Sequence, residues 1–363
     1  MARTIREKLN LAVADPTLIA RFAFYRSLNL FRWITGYGAQ PERLDDRLLQ
    51  GSASRGAGVS ALPRPDEAKQ TVEAHKRVAL WPLMSGERTY NPAHPEYHPE
   101  LVRNYAGRIF NRWRRCDNPA YAALTKMAWL EWVPDRLWRK VLADALAEAR
   151  AVPEAAQLFE RRRCVEDYLS GLRRTYGADY QPGWVNLDDA LFLYWLVRTA
   201  KPKTIVQTGV CNGLSAAFMM LALARNGSEG RLHVIDLAPV FDPNDPGWTI
   251  AGEMYGVVIP EGKTTGWLVP DTYRDRLEVW NGDAKDLLPK MIDKVGAVDF
   301  FYHDSDHTYD HMMFEFREAK RKLTKGGLIV GDDVSWNASL WDFADLFQVP
   351  AYNFRGAVGV AFF

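Results

Sequence analysis

The sequence predicts an α/β fold for the C-terminal half of the chain, with seven mostly parallel strands that end in an antiparallel hairpin. Two observations predict it. From residue 184 onward, short apolar segments rich in β-branched residues alternate with helical segments across short turns. At the C-terminus, two apolar segments follow one another without a helix between them, as the strands of a hairpin do. Helices are therefore expected on both faces of the sheet.

The elements follow in a regular order. Asn186 to Asp188 cap a helix that ends near Ala200, before Pro202. Strands are expected at 204–210, 231–238, 277–283, 298–304 and 326–334, and helices at 214–225, 284–294, 308–323 and 339–347. Residues 349–356 and 357–363 form the hairpin. Repeated strand–helix–strand units of this kind make the expected fold Rossmann-like.

Residues 1–183 are expected to form a mostly helical N-terminal region, and residues 184–363 a cofactor-binding domain. Residues 1–35 fit a helix packed on its own domain or on a partner subunit, or one lying on a membrane surface. Residues 36–66 are rich in Gly, Ser, Ala and Pro, as in a linker or long loop. Helical periodicity is clear within 119–176. Substrate selection or formation of a homo-oligomer is the expected role of this region.

Composition argues against several partners. The net charge is +1, so no long-range field favours nucleic acid or an anionic membrane. The three cysteines are widely spaced and match neither a disulfide framework nor a zinc site, which favours a cytoplasmic protein. No segment approaches the ~18 consecutive apolar residues of a membrane-spanning helix.

A glycine-containing loop follows the first strand of the predicted sheet. Its sequence, from Gln207 to Ser215, is QTGVCNGLS, with Gly209 and Gly213 in a G-x-x-x-G spacing. Gly209 permits a tight turn, and Gly213 permits the backbone to approach a ligand closely. The loop lacks the lysine of phosphate-loop enzymes and the central glycine of dinucleotide binders. Ligands of such sheets bind beyond the carboxyl ends of the strands.

Acidic residues end the next two strands. Asp236 can accept hydrogen bonds from both hydroxyls of a ribose, as an acid in this position does in dinucleotide folds. Asp283, followed by the small residue Ala284, can receive an adenine amino group while the ring passes beside it. A nucleoside-type ligand is therefore expected along this edge of the sheet.

The order of loop, Asp236, Asp283 and terminal hairpin resembles that of class I S-adenosylmethionine-dependent methyltransferases, over residues 186–363. Gln207 stands where that family often has an acid beside the methionine amino group. The resemblance implies S-adenosylmethionine as cofactor. The residues that it assigns to cofactor binding are Gln207, Gly209, Asn212, Gly213, Ser215, Asp236, Asp283 and Ala284.

Carboxylates also cluster after the fourth and fifth strands, in HDSDHTYD, with Asp304, Asp306 and Asp310, and in GDD, with Asp332 and Asp333. Like charges this close repel one another unless a cation is present. Oxygen ligands without cysteine favour Mg²⁺, Ca²⁺ or Mn²⁺. Alternatively, these acids cap the helices that begin near Thr308 and Asn337.

The acidic strand ends resemble those of metal-dependent O-methyltransferases of the catechol and caffeoyl-coenzyme A type, and more closely the macrocin O-methyltransferase and cephalosporin hydroxylase-like group. The resemblance implies Asp304, Asp332 and Asp333 as metal ligands, with Asp333 in place of an asparagine. His307 and Asp304 are the candidate catalytic residues. His307 could take a proton from a hydroxyl, since imidazole titrates near neutral pH, or only bond locally at the helix start.

Two further features complete the prediction. His303, His307 and His311 are spaced by four, but His303 lies on a strand and is expected to point away, which argues against zinc. Residues 239–275 form a long insertion with Trp248, Tyr255 and Trp267. Loops of this length are usually functional, so it is expected to cover the cofactor, form a substrate wall or contact another subunit.

The expected function is methyl transfer from S-adenosylmethionine to a hydroxyl of a small molecule or sugar. A bound Mg²⁺ would hold two adjacent oxygens, so a vicinal diol or catechol is the expected acceptor shape. The alternatives are an NAD-dependent oxidoreductase and a non-catalytic cofactor-binding scaffold. Nucleic-acid methylation is disfavoured, since the chain has neither a net basic charge nor an N/D-P-P-Y/F motif.

Overall fold

An eight-stranded sheet forms the centre of the computed structural model. The residues that the structure describes are 107, 109–128, 134–176, 182–227, 229–238, 248–250, 253–255, 259–355 and 357–363. The helix expected at 1–35 and the linker expected at 36–66 lie outside these residues.

The described strands and helices alternate along the chain. The strands are β1 (Ile109–Phe110), β2 (Thr204–Thr208), β3 (Arg231–Asp236), β4 (Trp248–Ile250), β5 (Glu253–Tyr255), β6 (Leu277–Asn281), β7 (Val298–His303), β8 (Leu323–Gly331), β9 (Ala351–Phe354) and β10 (Val358–Phe362). The α-helices are α1 (Pro119–Ala128), α2 (Pro134–Arg150), α3 (Ala155–Tyr176), α4 (Leu187–Ala200), α5 (Leu214–Arg225), α6 (Ala284–Val295), α7 (Tyr309–Lys320) and α8 (Ser339–Leu346), and a 3₁₀ helix spans Asp271–Arg276.

The strand order in the sheet is β1-β9-β10-β8-β7-β2-β3-β6. Strands β8, β7, β2, β3 and β6 are parallel neighbours, whereas β10 lies antiparallel between β8 and β9. The mostly parallel α/β sheet with its terminal hairpin is therefore confirmed. The strand count is eight rather than seven, because Ile109–Phe110 of the N-terminal region pairs with β9 and adds an edge strand.

The position of the site follows from the order of the strands. The chain leaves β2 for β3 on one side and later returns to β7 on the other side, so the strand order reverses between β2 and β7. Thr208 pairs with Ile235 of β3 and with His303 of β7, and His303 pairs with Gly331 of β8. The carboxyl ends of these four strands are thus level, and ligands of open α/β sheets bind at such a reversal.

Helices cover the sheet on both faces. Helices α6, α7 and α8 pack on one face through an apolar cluster that includes Leu288, Phe316 and Phe343. Helices α4 and α5 pack against each other and are buried along most of their length, which fits their nearly continuous apolar sequences. Helix α2 packs on α4, where Trp138 contacts Phe192. The predicted domain boundary at 183/184 stays a prediction.

Most element boundaries differ from the expected ones by a few residues. The helix expected to reach Leu323 ends at Lys320, because Leu323 pairs with Val298 and begins β8. Within the 239–275 insertion, β4 and β5 form a short hairpin and the 3₁₀ helix precedes β6. All three cysteines are free. Among the described residues, every helix is too short or too polar to pass through a lipid bilayer.

Candidate cofactor and metal site

The loop after β2 touches the end of β7. Gly209 has a φ of +71°, and a Cβ atom built on it would lie 1.7 Å from the carbonyl oxygen of Asp304. The amide of Asp304 in turn donates to the carbonyl oxygen of Thr208 at 2.9 Å. Only glycine permits this approach, which brings the glycine loop directly against Asp304 at the end of β7.

Gly213 lies against the backbone of the insertion. It has a φ of +92° at the start of α5, and a Cβ atom there would lie 2.6 Å from Cα of Gly266. The backbone of the insertion therefore needs a glycine here, and the expected approach of a ligand to Gly213 stays a prediction. The sequence does not reveal this neighbour, because Gly266 is far away along the chain.

Asn212 is held by protein groups at both ends of its amide. Its Nδ2 donates to the carbonyl oxygen of Pro182 at 2.8 Å, and its Oδ1 accepts from Nε1 of Trp267 at 2.7 Å. Trp267 is buried and therefore anchors the insertion to the glycine loop. The side chains of Trp248 and Tyr255 lie outside what the structure describes.

Gln207 carries a buried acceptor without a donor. Its Nε2 donates to the carbonyl oxygen of Gly209 at 2.7 Å and to Oγ of Ser215 at 2.9 Å. Its Oε1 is buried and has no hydrogen-bond partner within the described part of the chain. An unsatisfied buried acceptor is costly, so this atom suits a ligand that brings a hydrogen-bond donor.

Asp236 supports the glycine loop. Its Oδ2 accepts from the amides of Val210 and Cys211, the latter at 2.7 Å, and its Oδ1 accepts from the amide of Ala238 at 2.6 Å. Burial raises the pKa of Asp236, although these amides oppose the shift. A carboxylate offers about four acceptor positions, so one remains for a ribose hydroxyl rather than the two that we expected.

Asp283 and Ala284 differ in exposure. Asp283 is exposed and caps α6, where its Oδ1 accepts from the amide of Lys285 at 2.7 Å. Ala284 is buried and packs in the core beneath α6. Their predicted contacts with adenine stay predictions, and the cap accounts for one oxygen of the carboxylate.

Asp304, His307 and Asp332 form the candidate metal group. One potential ligand atom from each lies within 4.8 Å of the other two. His307 Nε2 is 3.8 Å from Asp304 Oδ1. Neither His307 Nε2 nor Asp332 Oδ1 has a hydrogen-bond partner in the described ranges, although both atoms are buried. Three ligand atoms that converge in this way suit a divalent cation.

Electrostatics at this group favour a cation. Burial raises the pKa of Asp304 well above its usual range, and the charge of Asp333 raises it further. Burial likewise raises the pKa of Asp332, together with the charge of Asp304. Burial and the nearby His303 lower the pKa of His307 to about 3. The imidazole is therefore neutral near pH 7 and a weaker base than we expected from its ordinary titration.

Asp333 stands apart from the other two predicted ligands. It has a φ of +47°, and its charge acts on both Asp304 and Asp332, but it is not among the three converging side chains. His307 completes the group instead. Asp306 does not bear out the capping alternative, because its Oδ1 accepts at 3.0 Å from the amide of Thr308, which is itself the N-cap residue of α7. Helices α7 and α8 have no side-chain cap at their N-cap residues.

The prediction that His303 points away from the other histidines is wrong. Its ring centroid lies 5.2 Å from that of His307 and 6.4 Å from that of His311. The buried carboxylate of Glu315, which sequence reasoning missed, lies against His303 and His311. Its signal was an acid on the apolar face of a helix, between Met312 and Phe316.

Comparisons with known proteins agree with this geometry. Residues 206–334 match the family described as a methyltransferase domain. This span includes the glycine loop and the acidic residues that follow β7 and β8. The expectation of a methyltransferase is thereby confirmed. None of the curated proteins compared with the chain matches it significantly.

Several solved structures are similar over much of their length. Cofactor-bound Rv0187 from MTB is 16% identical, with 68% of this chain and 98% of that chain covered and a TM-score of 0.36. The O-methyltransferase from Bacillus cereus in complex with SAH is 18% identical, with 62% and 100% covered and a TM-score of 0.38. The O-methyltransferase TomG from Streptomyces achromogenes, in complex with SAM, is 16% identical, with 55% and 88% covered and a TM-score of 0.36.

Proposed function

We propose that this chain, whose residues 206–334 form a methyltransferase domain, transfers a methyl group from S-adenosylmethionine to a hydroxyl of a small molecule or sugar, with the help of a divalent cation. One observation carries the proposal: Gly209 lies against the backbone of Asp304. The glycine loop from Gln207 to Ser215, called the donor loop below because it is expected to bind the methyl donor, therefore shares one rim with the candidate metal group. A methyl donor and an activated hydroxyl must meet in this way for an in-line transfer.

The donor side fits S-adenosylmethionine. The unpartnered Oε1 of Gln207 can accept a hydrogen bond from the ammonium of the methionine part. Asp236 keeps one acceptor position for the ribose, since three backbone amides occupy the others. When bound, S-adenosylmethionine supplies an electrophilic methyl group on a sulfonium. The chain's own residues orient it through the loop between β2 and α5.

The acidic side fits a hard divalent cation such as Mg²⁺ or Mn²⁺, held by Asp304, His307 and Asp332 with Asp333 nearby. The repulsion that raises the pKa of the two aspartates is relieved by positive charge. When bound, the cation lowers the pKa of a coordinated hydroxyl and favours an acceptor with two adjacent oxygens. His307 Nε2, neutral near pH 7, can ligate the ion or accept a hydrogen bond from the hydroxyl.

The finer expectations stay proposals. They are kinship to the macrocin O-methyltransferase and cephalosporin hydroxylase-like group, a cytoplasmic location, a homo-oligomer and substrate selection by residues 1–183. An NAD-dependent oxidoreductase is not favoured, because the loop lacks the central glycine that a pyrophosphate needs. A non-catalytic scaffold is less consistent with three converging ligand residues, two of which, His307 and Asp332, have a buried polar atom without a hydrogen-bond partner among the described residues.

Calorimetric titration tests the proposal. We expect the chain to bind S-adenosylhomocysteine and Mn²⁺, and not NADH, whose fluorescence should be unchanged. Labelled S-adenosylmethionine offered with catechol and vicinal-diol sugars should then show transfer that a chelator abolishes and Mg²⁺ restores. Transfer that is indifferent to chelator would remove the cation from the mechanism. Binding of NADH without S-adenosylhomocysteine would overturn the assignment.

A further inference from the structure

Glu315 is a buried carboxylate with an unusually complete set of partners. It lies on α7 with no exposed surface. Its Oε2 accepts from Oγ1 of Thr208 at 2.5 Å and lies 2.6 Å from Nδ1 of His303. Its Oε1 accepts from Oγ of Ser305 at 2.8 Å and lies 2.8 Å from Nε2 of His311. A carboxylate only accepts, so both ring nitrogens that face it must carry a proton.

Three of these partners, Thr208, His303 and Ser305, come from the two strand ends that form the site, whereas His311 lies on α7 itself. Thr208 is the last residue of β2, directly before Gly209 and the donor loop. His303 and Ser305 lie on either side of Asp304, at the end of β7. Glu315 therefore joins, through one carboxylate, the segment expected to hold the cofactor and the segment expected to hold the cation.

The charge of Glu315 is stabilised where it lies. Although burial by itself raises the pKa of Glu315, the charge and hydrogen bonds of His303 and His311 bring it well below its usual range. Burial lowers the pKa of His311, but its hydrogen bond to Glu315 outweighs this and raises it. A buried charge is retained only when it is paired and hydrogen-bonded, so loss of the carboxylate leaves several donors without an acceptor.

We propose that Glu315 is a positioning residue that holds the donor loop and the acidic end of β7 in register, so that cofactor and cation bind side by side. This inference rests on the proposed function. Glu315 touches neither ligand and acts through Thr208, His303 and Ser305. Partners of this kind, one contact removed from a ligand, typically contribute about 10–100-fold to metal affinity or activity.

The experiment measures binding by Glu315→Gln, with S-adenosylhomocysteine and Mn²⁺ as probes in separate calorimetric titrations. We expect both dissociation constants to rise by about tenfold or more. The matched control is Glu318→Gln on the same helix, which removes only an ion pair with Arg321 and should leave both constants unchanged. Titrations well below the unfolding midpoint compare folded protein only, so a purely stabilising role of Glu315 would not alter the constants.

Two milder variants decide the question even if Glu315→Gln does not fold. Thr208→Val removes the link to β2 and should weaken S-adenosylhomocysteine more than Mn²⁺. Ser305→Ala removes a link to β7 and should do the reverse. Wild-type affinities in all of the variants that fold would overturn the role of Glu315. A wild-type chain that binds neither probe would instead overturn the proposed function itself.

Discussion

At the scale of single residues, the site is defined by polar atoms that the protein leaves without partners. Asp332 Oδ1, His307 Nε2 and Gln207 Oε1 are buried and have no hydrogen-bond partner among the described residues. Other polar side chains at the same rim, such as Asn212 and Asp236, are held by protein donors. The first three are therefore the best candidates for ligand contact, because an unsatisfied buried group is unfavourable until a ligand satisfies it.

Asp332→Asn is expected to stabilise the metal-free protein. The substitution removes a buried carboxylate whose pKa is raised by burial and by repulsion from Asp304 and Asp333. The unfolding midpoint in chelator should rise by about 2 °C or more, and the gain on adding MgCl₂ should disappear. Thermal unfolding with and without MgCl₂ measures both effects. The control is Asp275→Asn at an exposed position; a lower midpoint for Asp332→Asn in chelator would contradict the repulsion.

At the scale of elements, the β2–α5 loop is shaped by two backbone contacts. Gly209 meets the end of β7, and Gly213 meets Gly266 of the insertion. The insertion is thus a structural support of the donor loop, through Gly266 and through Trp267 on Asn212. This explains why a G-x-x-x-G spacing without phosphate-loop features is needed here: each glycine makes room for a neighbouring chain segment.

Gly213→Ala is expected to lower the free energy of unfolding by about 1–3 kcal/mol more than Gly262→Ala does. Both glycines have positive φ, +92° and +72°, so both substitutions carry a backbone penalty. A Cβ atom at Gly213 also meets Cα of Gly266 at 2.6 Å, whereas one at Gly262 meets nothing within 4 Å. Urea unfolding of the two variants isolates the contact. Equal losses would mean that the insertion shifts freely.

At the scale of the whole molecule, the N-terminal helices and the sheet share one aromatic cluster. Trp138 of α2 packs on Phe192 of α4 and on Phe354 of β9, with centroid distances of 5.4 and 4.9 Å. Its Nε1 donates to the hydroxyl of Tyr352 at 3.0 Å. The stability of this part of the molecule therefore depends on helices before residue 184 as well as on the sheet.

Stability of the metal-free protein should fall as pH rises from about 5 to 8, in so far as Asp304 and Asp332 determine it. Their folded-state pKa values are raised, so in this window the folded state holds more protons than the unfolded state. The lowered pKa of His307 acts in the opposite direction, but only up to its unfolded value near 6.5. The lowered pKa of Glu315 also acts in the opposite direction, and its contribution is lost only in acid.

Mg²⁺ binds the deprotonated carboxylates, so the rise in unfolding midpoint that it causes should be larger at about pH 8 than at about pH 6. Thermal unfolding across this range, with MgCl₂ or with chelator, measures the difference. A metal-induced rise that is constant, or that grows as pH falls, would contradict the raised pKa values of the aspartate pair.

The order of elements was predictable from sequence, since periodicity and β-branched runs are local properties of the chain. The helix at 214–225 was predicted to the residue. Most predicted strands extended one or two residues beyond the end of the observed strand. The acids at the strand ends were also predictable, because parallel strands carry their last residues to one edge. These same signals led to the methyltransferase expectation.

What the sequence determined by itself was the sheet, its rim and the residue types delivered there, all of which follow from spacing along one strand or helix. Only the tertiary structure decided which of them meet. It put His307 rather than Asp333 with Asp304 and Asp332, placed Gly266 against Gly213, and buried Glu315 between two histidines. Such choices depend on distances between elements far apart in the chain, and these distances arise only when the helices pack on the sheet.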